Sequence, residues 1–416
     1  MSLMLTETPS HVSTAQSRRF DGIRAAMVSF SPYPADPRPR RAVEALLKEG
    51  MTVDFICLGG DQSPRRERSG NLDILRLPVK HRRGGKLAYA YQYSVFILAC
   101  TLILAIRTLT RRYRLVYIHN MPDVLVFSAL GPKLLGAKVI LDQHDPMPEL
   151  MTTIFNLDQN SFGVRLIRWL EKWSIARANL VITVNVACKR IFANRGCRAD
   201  KIGVVMNAPD GDIFRFNPAQ LLPAHESRTG RFVMMYHGSI VERNGLDLAV
   251  EALGHIRESV PSAELRIYGR KTPFLEQVLN DAQNRGLSDR VHYLGPKRLE
   301  DLPKEIGACD VGIIPNQRNA FTDINTPTRI FEYLALGKPV IAPRTLGIQD
   351  YFGPDSLYFF ESGNAEDLAA QIVRVFSRPS EVNTTVQRGQ EVYLSHSWTS
   401  ERDNLLTLVD GLLASR

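Results

Sequence analysis

Residues Asn325-Thr-Pro-Thr-Arg-Ile-Phe-Glu-Tyr-Leu-Ala-Leu-Gly-Lys-Pro-Val-Ile341 join a helix to a strand, and the rest of the 416-residue chain is read outward from them. The helix is expected over Thr328–Leu336 and the strand over Val340–Ala342. Thr326 or Thr328 would cap the helix, and Pro327 suits its first position. With Arg329 in the first turn, backbone N–H groups, hydroxyls and a guanidinium converge into a phosphate seat. Glu332 lies three residues beyond Arg329, on the same helix face. A carboxylate there can accept both hydroxyls of a ribose, as acidic residues do in dinucleotide sites. Read alone, Glu332 is better explained as a surface partner of Arg329.

Helix and strand alternate in both directions from this segment. Upstream, Tyr236-His-Gly-Ser-Ile-Val-Glu-Arg-Asn-Gly-Leu-Asp247 closes a strand (Phe232–Tyr236), turns at Gly238 and enters a helix (Leu246–Ile256). That geometry aims N–H groups at an anion, Gly238 permits close backbone approach, and Arg243 adds a charge suited to a diphosphate. Strands at Leu265–Tyr268, Val291–Leu294 and Val311–Ile314 alternate with helices at Phe274–Arg285, Leu302–Ile306 and Ala365–Phe376. In the first half, strand-like runs at Ala25–Ser29, Val53–Cys57, Leu115–Ile118, Lys138–Leu141 and Leu180–Val184 keep the same rhythm, with a helix over Arg41–Glu49. The pattern is α/β: two Rossmann-like doubly wound domains facing a cleft, with ligands at the carboxyl ends of the strands. We place the N-terminal domain at 1–206, the C-terminal domain at 207–395 and a last helix in 396–416, with Gly211–Gly230 as linker.

Composition narrows the function classes. Hydrophobic residues make up 44% of the chain and charged residues 23%, which excludes a disordered or collagen-like protein. The five cysteines are scattered with no CxxC pair, against a disulfide framework or structural zinc and in keeping with a reducing cytoplasm. The first twenty residues lack the apolar core of a secretory leader.

Charge is unevenly divided. Residues 1–200 carry 29 Lys and Arg against 16 Asp and Glu, whereas residues 201–416 carry 23 against 27, so the first half is expected to meet something anionic. Leu87–Ile106 has no formal charge and lies between Arg82, Arg83, Lys86 and Arg107, Arg111, Arg112, Arg114. Three readings apply to it: a membrane span, a core helix on the sheet, or a helix lying on an anionic bilayer. The span is disfavoured because strand pattern resumes at once at Leu115. No helix-turn-helix, RNP or zinc-finger pattern supports nucleic acid as a partner.

The combined motifs resemble a family. HGSIVERNGLD, LRIYGR at 265–270, SDRVHYLG at 288–295, CDVGIIP at 309–315 and PTRIFEYLALGKPVIA at 327–342 are similar, in order and spacing, to the donor half of retaining GT-B glycosyltransferases of family 4 (group 1 type). SPYPADPRPRRAVEALLKEG, LVYIHNMPD, LDQHDPMPE and LVITVN match the first half more loosely. The resemblance implies transfer of a sugar from a nucleotide diphosphate sugar to an acceptor with retention, without a metal or other cofactor. It also implies that the last helix crosses back onto the first domain.

Carried over, Arg329 holds the diphosphate and Glu332 the ribose; the family's usual Arg and Lys after the loop glycine are Ser239 and Asn244 here, and Arg243 is taken as the substitute for the Lys on the diphosphate. Gly238, Ser239, Asn325, Thr326 and Thr328 line the donor site, and Gly269 and Tyr293 lie near the base. His119 matches a residue beside the reacting sugar. His144, Asp145 and Arg38 are assigned to the acceptor. The family's usual first Glu of a pair is Ile324 here, so Asp323 or the amides of Asn325–Thr328 are expected to serve in its place. Asp210-Gly-Asp212 has the form of a metal-binding DxD but falls in the linker, where it reads as a turn.

These features describe a cytoplasmic glycosyltransferase, peripheral on the inner face of the cell membrane through its N-terminal domain, that extends a glycan or lipid-linked acceptor. The alternatives are a sugar-nucleotide epimerase or phosphorylase of the same fold, or a non-catalytic nucleotide-binding protein. An epimerase would release free sugar without an acceptor. A phosphorylase would need a pyridoxal-lysine environment, which no segment supplies.

Overall fold

The computed structural model describes residues 18–60, 63–79, 86–219 and 230–415, with residues 86–89 described in backbone only. The first sheet is built from β1 (Arg24–Pro32), β2 (Thr52–Leu58), β3 (Arg66–Ser69), β4 (Leu72–Leu77), β5 (Leu115–His119), β6 (Lys138–Gln143), β7 (Leu180–Thr183) and β8 (Ile202–Val204), in the order β3-β4-β2-β1-β5-β6-β7-β8. Its pairings are parallel except that of β3 with β4. β2, β5 and β6 are buried along almost their whole length, as expected of parallel strands covered on both faces. β3 (Arg-Glu-Arg-Ser) is fully exposed, a charged edge that discourages further pairing. Its lack of alternation hid the β3–β4 hairpin from the sequence.

Helices α1 (Pro37–Lys48), α2 (Lys86–Arg111), α3 (Leu130–Leu134), α4 (Met147–Phe155), α5 (Phe162–Arg177) and α6 (Val186–Asn194) cover this sheet. α1 starts four residues earlier than the Arg41 expected. Asp36 accepts a hydrogen bond from the Arg38 N–H, and Pro37 supplies a preset φ at the first position, so the proline-rich stretch opens the helix. α2 contains the uncharged run, and its two faces differ. Phe96, Cys100 and Leu104 are fully buried against the sheet, whereas Leu98, Leu102 and Ile106 are 63%, 56% and 67% exposed. α2 is long and apolar enough to cross a membrane, but its inner stripe is committed to the domain core. Arg82 and Arg83 lie outside the described residues.

The second sheet is all parallel: β9 (Phe232–His237), β10 (Ala263–Tyr268), β11 (Val291–Tyr293), β12 (Val311–Ile313), β13 (Val340–Pro343) and β14 (Tyr358–Phe360), in the order β11-β10-β9-β12-β13-β14. It is flanked by α7 (Leu246–His255), α8 (Pro273–Asn284), α9 (Leu302–Gly307), α10 (Thr328–Ala335), α11 (Leu346–Gln349), α12 (Ala365–Ser377) and α13 (Pro379–Ser395). α14 (Trp398–Ala414) returns to the first domain. Its Leu405, Leu406 and Val409 share a core with Val43 and Leu46 of α1, and Glu401 accepts the Met206 N–H at 2.9 Å. Of the expected linker, residues 220–229 lie outside the described residues.

The two domains touch through specific groups. Arg190 pairs bidentately with Asp350 at 2.8 and 2.7 Å, and the Tyr351 hydroxyl accepts the Val186 N–H. Asn185 donates to the Ile324 carbonyl at 2.8 Å. Ile324 is 7% exposed and packs into the apolar core of the N-terminal domain.

Candidate functional site

Strand ends create the site. β9 finishes at His237, the chain turns at Gly238 (φ +121°), and a short 3-10 turn, Glu242–Asn244, precedes α7. That backbone conformation favours glycine, and a Cβ there would also crowd the Arg329 side chain at 3.3 Å. Arg329, in the first turn of α10, donates to the His237 carbonyl at 2.8 Å and to Asn316 Oδ1 at 3.2 Å, and lies over the Tyr236 ring at 4.8 Å. The guanidinium is therefore held in one orientation.

The expected helix cap differs from the structure. Pro327 occupies the cap position and no side chain caps α10, because Thr326 Oγ1 donates to the Gly347 carbonyl instead. The first N–H groups of α10 stay open for an anion. Glu332 does not pair with Arg329 either. Its Oε2 lies 2.5 Å from His237 Nε2, and His237 Nδ1 lies 2.8 Å from the Tyr333 hydroxyl, which donates to the Met235 carbonyl. With its own proton donated to the Met235 carbonyl, the Tyr333 hydroxyl is left to accept from His237 Nδ1. His237 was missed in the sequence; its signal was a histidine at the carboxyl end of an apolar strand, just before the glycine turn.

A cleft of about 430 Å³ separates the domains. One wall carries Gly238, Ser239, Arg243, Asn325, Thr326, Thr328 and Arg329. The facing wall carries Arg38, His144 and Asp145, with Arg38 Nη1 3.6 Å from Asp145. Arg243 has no acidic partner among the described residues. A second hollow of about 480 Å³ adjoins it under the loops at Gly238–Val241 and Gly269–Thr272. Gly269 lines this hollow, whereas Tyr293 does not, its hydroxyl being tied to the Gly269 carbonyl at 3.0 Å.

The two residues expected to be catalytic stand elsewhere, and Glu332 lines neither the cleft nor the hollow. His119 is fully buried and does not line the cleft. Asp323 does not line it either, and its carboxylate pairs with Arg318 at 3.2 Å. His119 instead backs His144: its Nδ1 lies 3.0 Å from His144 Nε2 and 3.4 Å from Asp142 Oδ2. Asp142 also accepts the Tyr117 hydroxyl at 2.8 Å. Burial alone would raise the Asp142 pKa, but the two imidazoles and the Tyr117 hydroxyl outweigh it and hold the carboxyl below its usual value. Burial pushes His144 down to about 4, with Arg38 adding to the fall and Asp142 opposing it. Neutral His144 then keeps its proton on Nδ1, beside Asp142 Oδ1 at 3.5 Å, and accepts from His119 through Nε2.

His119, Asp142 and His144 are also the one trio among the described residues spaced for a metal ion. Asp142, His119 Nδ1 and His144 partner one another and Tyr117, whereas His119 Nε2 is buried without a partner, and the Arg38 charge beside His144 disfavours a further cation. Asp210, of the DxD, sits 3.8 Å from Arg40 and outside the cleft lining.

Comparison with known proteins fits this layout. The family described as glycosyl transferases group 1 matches residues 220–392, and the glycosyl transferase 4-like domain matches residues 35–208. The chain belongs to the group 1 glycosyltransferases. This glycosyltransferase is 31% identical over 168 residues to a GDP-mannose-dependent alpha-(1-6)-phosphatidylinositol monomannoside mannosyltransferase of Mycobacterium tuberculosis. That match spans 39% of the chain and 43% of the relative. Sucrose-phosphate synthase from Thermosynechococcus elongatus shares its fold with a TM-score of 0.76 at 18% identity, covering 95% of this chain and 100% of that one. The Anabaena protein HepE, solved with UDP, superposes with a TM-score of 0.69 at 14% identity, covering 94% and 100%. The two-domain GT-B architecture is thereby the fold of this glycosyltransferase.

Proposed function

We propose that the chain moves a sugar, with retention of anomeric configuration, from a nucleoside diphosphate sugar to a glycan or lipid-linked acceptor. The observation that carries this reading is the wall where Arg243, Arg329 and the uncapped start of α10 meet in one cleft. When the anomeric C–O bond breaks, its electron pair leaves on the diphosphate, and these groups stabilise the growing charge. No resident metal is needed for that task. Glu332 offers its remaining oxygen to the ribose, and the base lies in the hollow at Gly269. Arg38, His144 and Asp145 face the donor wall and orient the acceptor hydroxyl toward the anomeric carbon.

The relatives support the reading in part: one uses GDP-mannose and another was solved with UDP. We place the protein in the cytoplasm, where its five free cysteines stay reduced. Proton NMR of reactions with UDP-, GDP- and ADP-sugars, run with a chelator and a panel of glycan and lipid-linked acceptors, tests the proposal. Nucleoside diphosphate release coupled to a product with the donor's anomeric configuration is expected. An inverted product, a dependence on added metal, or free epimerised sugar without acceptor would contradict it.

A further inference from the structure

The exposed stripe of α2 is one part of a larger apolar face. α2 packs on α3 and on the 3-10 segment Asp123–Ala129, and that segment packs on α5. The Phe127 and Trp173 rings are 4.1 Å apart, and Trp173 stacks on Trp169 at 5.3 Å, so the aromatic side chains continue the surface. Leu134 of α3 is 87% exposed, and on α5 Phe162 and Trp169 are 74% and 57% exposed. A soluble surface rarely leaves so many large apolar groups together without a use.

Charge identifies the occupant. α2, the 3-10 segment, α3 and α5 contain two acidic residues, Asp123 and Glu171, and both are buried. The exposed charges on these helices and just beyond α2 are cationic, Arg112 and Arg114 beyond α2 and Arg165, Lys172 and Arg177 on α5, and they outnumber the exposed Asp158 that precedes α5. Apolar and indole groups bordered by Arg and Lys match the boundary between acyl chains and anionic head groups. A second copy fits less well, because a two-fold contact would set the same cations against one another.

We propose that α2, α3 and α5 together dock on an anionic bilayer, with Trp169 and Trp173 at the head-group level. α4 links this face to the cleft, since Ile154 lines the cleft and is 47% exposed. An acceptor carried by a lipid would thus reach the donor wall along α4. That last step rests on the function proposed above, whereas the docking does not.

The chain has three tryptophans, Trp169, Trp173 and Trp398. In a Trp398→Phe background, emission therefore reports the two on α5. Vesicles of phosphatidylcholine mixed with phosphatidylglycerol should shift that emission to the blue and make it quenchable by brominated lipid, while phosphatidylcholine alone should not. The Leu98→Gln/Leu102→Gln variant alters exposed positions and should keep its circular dichroism while binding the mixed vesicles about tenfold more weakly. Unchanged emission with mixed vesicles, equal binding by the variant, or a dimer that the variant abolishes without any vesicle binding would overturn the proposal. Nucleotide titration of the same samples separates failure of docking from failure of the donor site.

Discussion

Each wall of the cleft is built on a buried histidine beside a carboxylate, and the two are assembled differently. On the C-terminal wall, His237, Glu332 and Tyr333 come from β9 and α10, and the chain of contacts ends on a β9 carbonyl. Arg329 is tied to the same strand end. On the N-terminal wall, Tyr117 and His119 come from β5, Asp142 from β6 and His144 from the turn just after it, and Arg38 from α1. The first wall is one strand and one helix locked together, which suits a fixed anion such as a diphosphate. The second draws on three separate elements and leaves His144 at the surface of a buried relay, which suits a group whose identity varies.

Ile324 lies where the two walls meet, so its replacement should give the largest effect. Ile324→Glu would place a carboxylate in the N-terminal core and should cost about 3 kcal/mol or more of stability in urea unfolding. A fully stable variant would break the account of that position. Next, Glu332→Gln replaces the carboxylate beside His237 that is proposed to bind the ribose, and calorimetry should show about tenfold weaker nucleotide binding. His144→Gln should leave nucleotide affinity within about twofold while lowering turnover about tenfold. Equal losses in both quantities would mean that the two walls act as one.

The smallest effect is on pH. His144 is held below its ordinary pKa, so its contribution to stability is present above about 6.5 and is lost as pH falls toward about 4. Wild type should therefore lose on the order of 1 kcal/mol more than His144→Gln across that window, by unfolding at matched pH.

The same contrast explains what the sequence disclosed. The C-terminal site was legible because Asn325–Ile341 is contiguous and helix geometry fixes what Arg329 and Glu332 can reach. The pairing of Glu332 with His237 was not, because they stand 95 positions apart and only the fold brings them together. On the N-terminal wall, His119 and His144 stand at the ends of neighbouring strands. Which of them meets the cleft depends on packing against Tyr117 and Asp142, and no local spacing encodes that. Likewise α2 read as one apolar run, and only its packing on β1 and α3 separates the committed stripe from the open one. The tryptophans of α5 carried no motif at all; they acquire meaning by lying beside Phe127.

The central claim is that the wall built on β9 and α10 holds a nucleoside diphosphate. Calorimetric titration of UDP, GDP and ADP into wild type, Arg329→Ala and Arg38→Ala tests it most directly. The account predicts binding of one nucleotide, weakened about 100-fold by Arg329→Ala and less than about threefold by Arg38→Ala. No binding by wild type, or equal binding by Arg329→Ala, would contradict it.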